Sequence, residues 1–273
     1  MSRKKRLPVP HLPVPVVDSH AHVFSSFFQE ETPAQIMARA GEVNVVGCVN
    51  VGTDLKTTEM ARQVAEEISG VFFTAGLHPH DARFLTDQML SDLKRHCGEG
   101  AVAVGEIGLD FHYNHSPAHL QELAFEAQLD LAALMNLPVI VHSREADVRT
   151  LEILRPWFDK CSIMLHCFSG NLDLALKYVD LGAWLSLPGV ITYSRNIMGR
   201  EVLSGVPTNR LMFETDCPFL TPEPRRGRTN EPAFLAFTLA FAAEFLGRDL
   251  ETVCVDHMTS VRDFFRFDPL LNI

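Results

Sequence analysis

The feature that most constrains this chain is an alternation of short apolar runs with helical patterns along its whole length. Each run begins with apolar residues and carries Gly, His, Asp or Glu towards its end. Nearly continuous apolar runs are typical of parallel strands that are covered on both faces. The eight runs are residues 14–23, 44–52, 70–79, 101–110, 137–143, 161–170, 183–189 and 209–218.

The segments between the runs have helical periodicity, as in residues 55–68, 120–136, 145–154 and 172–182. Eight strand–helix units in 273 residues match a (β/α)8 TIM barrel in number and size. A doubly wound open sheet is the competing architecture, but no G-x-G-x-x-G follows the first run. The sequence therefore predicts an α/β fold with a single barrel domain over residues 16–273. A basic, proline-rich extension over residues 1–15 precedes it.

Composition limits the compartment and the partners. The 24 Lys and Arg against 34 Asp and Glu give a net charge of −10, which argues against a broad basic surface. A nucleic-acid substrate stays possible, because bound divalent cations and a few arginines can set the local sign of charge. The six cysteines include no C-x-x-C pair, and the basic N-terminus leads into prolines instead of an apolar signal segment. We therefore expect a cytoplasmic protein that does not enter a membrane.

The most apolar helical pattern, residues 232–247, is interrupted by Glu244. It falls short of the roughly 18 apolar residues that a membrane span needs. The sequence predicts a buried helix there.

Two histidines end the first apolar run. His20 and His22 are two residues apart, so in a strand their side chains point the same way, with Asp18 behind them on the same face. This is how a strand presents two imidazoles to one metal ion. An isolated H-x-H is more often a pair of surface histidines, so the metal interpretation needs further ligands from the rest of the chain.

Further candidate ligands are present at the ends of the other runs. A barrel brings the carboxyl ends of its strands together, so these residues can share one site. The candidates at these ends are His20, His22, His78, Glu106, His142, His166 and Asp216. Taken singly, His142 or His166 is more often a hydrogen-bonded core histidine, and Glu106 a structural carboxylate. So many coincidences at one end of one barrel favour a metal centre. Four of these histidines and the two carboxylates already exceed one tetrahedral site but suit two ions that share a carboxylate. Zinc, manganese, iron and magnesium all remain open.

Six motifs carry a resemblance to a known family. In order they are DSHAH, GLHPH, GEIGLDF, LPVIVHSREA, LHCFSGN and ETDCPFLTPEPRRGRTNEP. Together they resemble the TatD family of metal-dependent deoxyribonucleases, a branch of the amidohydrolase-type barrels, from about Val16 to Phe265. Two departures are the N-terminal extension and Ser260, which stands where the family typically has asparagine.

The resemblance implies a dinuclear centre and assigns its ligands. His20 and His22 would bind the first divalent ion, and His142 and His166 the second. Glu106 would bridge the two ions, in the place where many related barrels use a carboxylated lysine. The ions would be Mg, Mn or Zn.

The resemblance also implies which residues act on the substrate. Asp216 would complete the first metal site and orient or deprotonate the attacking water, and His78 would face the phosphate or the leaving group. Glu106, Asp216 and His78 are thus the predicted catalytic residues. Asp110 and Glu214 are predicted to contact the ligands from behind, Asp110 by fixing a histidine tautomer.

Four arginines are candidates for binding substrate. Arg144 directly follows the fifth run and can take a phosphate oxygen bidentately, although a surface salt bridge is an equally good interpretation. The loop after the eighth run carries Arg225, Arg226 and Arg228. A basic loop at the barrel mouth can track a nucleic-acid backbone, whereas the alternative is a solvated loop.

Three functions follow in order of preference. The first is a metal-dependent nuclease that works from the 3′ end of unpaired DNA or RNA. The second keeps the metals but hydrolyses amides or esters, as an amidohydrolase or an aminoacyl-tRNA deacylase would, because fold and ligands alone do not fix the bond that is cleaved. The third is a non-catalytic metal-binding protein, which predicts a gap among the ligands, and none is found.

Overall fold

The computed structural model describes residues 8–24, 26–28 and 31–266 of the chain. Its eight strands each overlap one of the eight apolar runs, which confirms the predicted strand positions. They are β1 Val16–Ala21, β2 Val45–Asn50, β3 Val71–Phe73, β4 Val104–Asp110, β5 Val139–Arg144, β6 Ile163–Leu165, β7 Trp184–Leu187 and β8 Leu211–Phe213.

Nine α-helices occupy the described part of the chain. They are α1 Pro33–Gly41, α2 Leu55–Glu67, α3 Asp87–Gly98, α4 Ala118–Met135, α5 Asp147–Leu154, α6 Leu172–Asp180, α7 Ile197–Gly205, α8 Leu235–Leu246 and α9 Leu250–Phe265. The predicted helix over 145–154 begins two residues late, because Glu145 adopts a left-handed backbone (φ 53°). The predicted buried helix over 232–247 is divided into a 3-10 turn, Pro232–Phe234, and α8. None of the described helices is both long enough and apolar enough to span a bilayer.

The strands follow one another in sequence order around a barrel. The order β1-β2-β3 forms one parallel sheet and β4-β5-β6-β7-β8 a second. Ala75, just after β3, bridges to Val104 of β4. On the other side, the Asp216 amide donates to the His20 carbonyl (3.0 Å) and the His22 amide to the Cys217 carbonyl (2.9 Å). This order has no switch point, so the (β/α)8 barrel is preferred over the doubly wound sheet.

Local sequence explains where the first helices begin. Asp54 caps α2 by accepting a hydrogen bond from the Thr57 amide (2.6 Å), and Thr32 and Gln35 form a capping box at α1.

Glycine allows β4 to approach β5. Gly108 has φ 139°, and a Cβ there would lie 2.0 Å from the His142 carbonyl oxygen. Gly108 is the register partner of His142, so the close approach brings His142 near Glu106, two residues earlier in β4.

Helix α9 fastens the first strand to the last. His257 of α9 is buried, its Nδ1 accepts a hydrogen bond from the Phe213 amide of β8 (3.1 Å), and its Nε2 donates to the Val17 carbonyl of β1 (2.8 Å). Burial lowers the pKa of His257 to about 4, so its imidazole is neutral at pH 7. Ser260, the departure from the family motif, donates to the Thr208 carbonyl (3.2 Å), so a local hydrogen bond is present without asparagine.

Part of the predicted N-terminal extension packs on the barrel. Leu12 is fully buried, its amide donates to the Val43 carbonyl (3.1 Å), and Asn44 donates to its carbonyl oxygen (2.7 Å). Residues 1–7 lie outside the described residues. The division of the chain at residue 15 stays a prediction.

Candidate metal centre

The predicted ligands meet at the carboxyl ends of the strands. His20 lies in β1, Glu106 in β4 and His142 in β5, whereas His22 and His166 each follow directly after the end of a strand. Asp216 comes three residues after β8. These side chains are buried or nearly so. Backbone hydrogen bonds beyond the strand ends, as between Asp216 and His20, carry the loop ligands to the same place.

The first group of ligands joins β1 to β8. The Nε2 atoms of His20 and His22 are 3.3 Å apart. The Oδ1 atom of Asp216 lies 3.7 Å from His20 Nε2 and 3.4 Å from His22 Nε2. Three donor atoms thus face one another at distances that leave room for an ion between them.

The second group forms around Glu106. Its Oε2 lies 2.6 Å from His166 Nε2, 3.8 Å from His142 Nδ1 and 3.8 Å from His20 Nε2. The His142 Nδ1 and His166 Nε2 atoms are 3.3 Å apart. Glu106 therefore touches both groups, as a carboxylate shared between two ions must.

Hydrogen bonds behind two ligands fix which nitrogen faces the centre. The Nδ1 of His22 lies 3.0 Å from the Val51 carbonyl oxygen, which only accepts, so its proton sits there and the Nε2 lone pair faces inward. The Nε2 of His142 lies 3.2 Å from Asp110 Oδ2, which leaves the Nδ1 lone pair for a ligand bond. Asp110 thus contacts His142, and its tautomer-fixing role stays a prediction.

Glu214 has the corresponding position behind His166. Its Oε1 lies 3.5 Å from His166 Nδ1 and accepts a hydrogen bond from the Cys167 amide (2.7 Å). Glu214 is fully buried, and the amide bond holds its carboxylate against the imidazole. Glu214 therefore lies beside the imidazole of His166, and its role behind a metal ligand stays a prediction.

Charge in the centre favours a cation. Burial would raise the pKa of Glu106, but the imidazoles of His166 and His78 hold it well below its usual range, so the carboxylate is anionic. Burial, with the neighbouring His166, lowers the pKa of His20 and keeps its lone pair free. Burial would also lower the pKa of His166, but Glu106 and Glu214 outweigh it and raise that pKa, so the position attracts positive charge.

The donor set fits divalent metal. Three sets of ligand atoms in the described part of the chain each lie within 4.8 Å of one another: His20–Glu106–His166, His20–His22–Asp216 and His78–Glu106–His142. Among those residues, the buried Oε2 of Glu106, which faces the imidazoles, lacks a well-formed hydrogen bond. Imidazole lone pairs that converge on anionic oxygens are the ligands that zinc, manganese and iron prefer.

His78 borders the centre, and His80 is a residue that the sequence analysis missed. His78 is buried, and its Nε2 lies 3.8 Å from Glu106 Oε1. Its Nδ1 accepts a hydrogen bond from the His80 amide (3.1 Å), so the proton of His78 is on Nε2, towards the centre. The Nε2 of His80 lies 2.9 Å from Asp110 Oδ2. The sequence feature that could have indicated His80 is the second histidine of the GLHPH motif.

The four predicted substrate arginines have different surroundings. Arg144 is exposed, its guanidinium lies 4.7 Å from the centre of the Tyr113 ring, and no carboxylate of the described residues is within ion-pair distance. The salt-bridge interpretation of Arg144 therefore finds no partner in that part of the chain. Arg228 likewise has no carboxylate within that distance in the described ranges and lines a cleft beside the β8 loop.

The other two loop arginines are engaged with aromatic rings. Arg225 lies against Phe234 and Phe237, 5.7 and 5.2 Å from their ring centres. Arg226 lies 4.5 Å from the centre of the Tyr193 ring. Their predicted contacts with substrate stay predictions.

The tautomers give a first testable prediction. In the parent protein the Tyr113 amide donates a hydrogen bond to Asp110 (2.8 Å), and the side-chain carbonyl of an Asp110→Asn variant can still accept it. The amide nitrogen of the asparagine would then face His142 with an N–H donor in place of the carboxylate oxygen. We expect metal affinity to fall by about 10-fold to 100-fold, because His142 is no longer held with its lone pair facing inward. Isothermal titration of metal-stripped protein with Mn²⁺ measures this. Asp130→Asn, at an exposed position of α4, is the control. Equal affinities for the two variants would contradict the assigned role.

An α/β barrel that gathers imidazoles and carboxylates at the carboxyl ends of its strands belongs to the class of metal-dependent hydrolases. The model of the family described as TatD related DNase matches residues 17–266. The chain belongs to this family. It is 37% identical over 241 residues to the 3′-5′ ssDNA/RNA exonuclease TatD of Klebsiella pneumoniae, covering 86% of this chain and 92% of that protein.

Two further comparisons agree with the family assignment. The chain is 32% identical to the uncharacterized metal-dependent hydrolase YabD of Bacillus subtilis, covering 92% of this chain and 99% of that protein. Its fold matches the crystal structure of a TatD homologue from Escherichia coli with a TM-score of 0.85 and 26% identity, covering 92% of this chain and 98% of the other. The barrel and the enzyme class predicted from the sequence are confirmed.

Proposed function

We propose that this protein is a nuclease that removes nucleotides from the 3′ end of single-stranded DNA or RNA with the help of two divalent ions. The observation that carries the proposal is Glu106, whose Oε2 faces imidazoles of both ligand groups. The relative named a 3′-5′ ssDNA/RNA exonuclease supports the bond and the direction. Six free cysteines, five of them buried, support a reducing, cytoplasmic setting.

The ligand groups divide between two ions. His20, His22 and Asp216 would hold the first, His142 and His166 the second, and Glu106 both. Bound Mg²⁺, Mn²⁺ or Zn²⁺ would supply Lewis-acid polarisation of a phosphoryl oxygen and a lowered pKa for water. Val51 and Asp110 keep His22 and His142 in the tautomer that such binding needs, and Glu214 lies behind His166.

Asp216 and His78 are the groups we assign to proton movement and charge stabilisation. Asp216 is partly open, with 13% of its side chain exposed, so a water that enters from the barrel mouth can reach it. We assign it the orientation of that water and the acceptance of its proton. His78 carries its proton on Nε2 and would donate a hydrogen bond to a phosphate oxygen or to the leaving oxygen.

Arg144 and Arg228 are the cations that we assign to the phosphate backbone. Each lacks a carboxylate within ion-pair distance among the described residues, so neither must break an internal pair to bind phosphate. The guanidinium of Arg144 is held by the Tyr113 ring, which lowers the entropy that binding has to overcome. A local cationic pair of this kind allows an acidic protein to bind an anionic strand.

The test uses two substrate sets on the same metal-loaded protein. The first is a single-stranded DNA with a label at either end, and the second is a panel of carboxylic esters, amides and aminoacyl-tRNA. We expect stepwise shortening from the 3′ end and turnover of the panel at least about 10³-fold slower, because the arginines select phosphate. If the protein hydrolysed members of the panel and left the DNA uncut, the nuclease proposal would be wrong and the amidohydrolase or deacylase alternative would be favoured.

A further inference from the structure

Two phenylalanine rings stand in solvent beside the metal centre. Phe27, on the loop after β1, is 41% exposed, and Phe219, on the loop after β8, is 52% exposed. Their ring centres are 6.0 Å apart in an edge-to-face arrangement. Two apolar rings exposed side by side are unusual, because burying them would remove their apolar surface from water and stabilise the fold. Their exposure at the mouth of a site therefore needs a reason.

The pair is attached directly to the ligands. The Phe219 ring lies 6.5 Å from the ring centre of His22, and the Phe219 amide donates to the Asp216 carbonyl (3.0 Å). Phe24, buried beneath, lies 6.2 Å from His22 and 5.8 Å from Phe27. The two exposed rings are thus fixed against the first ligand group and not carried on a separate part of the surface.

Other exposed aromatic rings in the described part of the chain are already engaged. Tyr113 has the guanidinium of Arg144 at 4.7 Å and the parallel ring of His115 at 5.5 Å. Phe84 has the guanidinium of Arg83 at 4.7 Å. The contacts of Phe27 and Phe219 with neighbouring rings are edge-to-face or tilted and leave ring area open, so this pair is an available stacking surface at the mouth.

A polar cleft of about 720 Å³ continues from Phe27 and is lined by Arg39 and Arg228. Arg39 is bound by Glu31 and Glu231, so Arg228 is the cation of the cleft that is left for a phosphate. The volume lies within the range of sites that hold molecules of nucleotide size. The metal centre, the ring pair and then one cation follow one another, which matches the scissile bond, a base and a phosphate of one strand.

We propose that Phe27 and Phe219 form a stacking site for an unpaired nucleobase of the substrate strand, next to the scissile phosphate. This inference rests on the nuclease function proposed above. Stacking on aromatic rings is largely independent of base identity, because every base has a π-face. A base inside a duplex has its faces covered by its neighbours, so the site selects unpaired strands without reading their sequence.

The kinetic test compares a normal 3′ end with one that lacks bases. Phe27→Ala and Phe219→Ala are assayed on single-stranded DNA and on the same strand with abasic residues in its last two positions. We expect KM for the normal strand to rise about tenfold or more in each variant, with KM for the abasic strand unchanged. Phe219→Tyr should keep the normal KM, whereas Phe219→Leu should behave like the alanine variant. Phe245→Ala, at a 42% exposed ring on α8, is the control.

A binding readout separates stacking from turnover. A strand with 2-aminopurine at its 3′ end is mixed with Glu106→Ala protein, and we expect its fluorescence to be quenched by stacking. The quenching should be lost when Phe27→Ala or Phe219→Ala is introduced into the Glu106→Ala protein as a second substitution. Equal KM changes on normal and abasic strands, unchanged KM on both, or unaltered quenching would each overturn the stacking site. Failure of the parent protein to cleave either strand would instead overturn the nuclease function.

Discussion

Replacing Glu106 by alanine is expected to reduce phosphodiester cleavage by at least about 10³-fold, while the barrel stays folded. The carboxylate faces both ligand groups, with Oε2 2.6 Å from His166 and 3.8 Å from His20, so its loss would disturb both of the proposed ions together. A thousandfold loss corresponds to about 4 kcal/mol of transition-state stabilisation, a magnitude that metal centres commonly supply. The measurement is single-turnover digestion of end-labelled single-stranded DNA.

The fold should survive because the Glu106 side chain faces imidazoles, whereas its backbone amide, which alanine keeps, donates to the Gly52 carbonyl (3.1 Å). Circular dichroism and thermal unfolding of the variant check this. Glu106→Gln keeps the shape without the charge, and we expect it to lose activity almost as fully. Glu126→Ala, at an exposed position of α4, is the matched control and should cleave normally. A Glu106→Ala protein that cleaves at the normal rate would show that the assigned mechanism is wrong.

The second large effect concerns stability. His257→Phe leaves the Phe213 amide of β8 without its imidazole acceptor and the Val17 carbonyl of β1 without its imidazole donor. We expect the free energy of unfolding at pH 7.5 to fall by about 3 kcal/mol, the cost of leaving buried polar groups unpaired. Unfolding by urea, followed by circular dichroism, measures the loss. His119→Phe, at an exposed position of α4, controls for the change of side chain.

The same residue predicts a pH dependence. Burial lowers the pKa of His257 to about 4, from an ordinary value of 6.5, so the unfolded chain takes up the proton first as the pH falls. The stabilisation is complete above pH 6.5, declines by about 1.4 kcal/mol per pH unit below it and is lost near pH 4. The stability difference between the parent protein and His257→Phe should therefore narrow towards pH 4. A constant difference between pH 7.5 and pH 4 would contradict the neutral, bridging histidine.

The sequence predicted those parts of the molecule that follow from strand periodicity. His20 and His22 point the same way because side chains alternate along a strand, and Glu106 and His142 meet because parallel strands place their carboxyl ends together. The apolar runs located the strands for the same reason. The ligand cluster was therefore accessible without coordinates.

The rest depends on contacts between residues distant in the chain. The carbonyl of Val51 fixes the tautomer of His22, yet a backbone group leaves no mark in the sequence. The bridge from His257 to Val17 spans 240 residues. Phe27 and Phe219 become a pair only when the loops after β1 and β8 lie side by side. Such contacts join residues that are far apart in the chain, and local sequence patterns do not encode them.

The central claim is that two ions, held together by Glu106, are needed to cut a strand from its 3′ end. The most direct test adds Mn²⁺ in steps to metal-stripped protein, counts bound ions by elemental analysis and follows release from a 3′-labelled strand in the same samples. We predict that release rises with the second ion bound per chain and is absent from Glu106→Ala at every concentration. Full release from the metal-stripped protein, or an uncut strand with two ions bound per chain, would contradict the account.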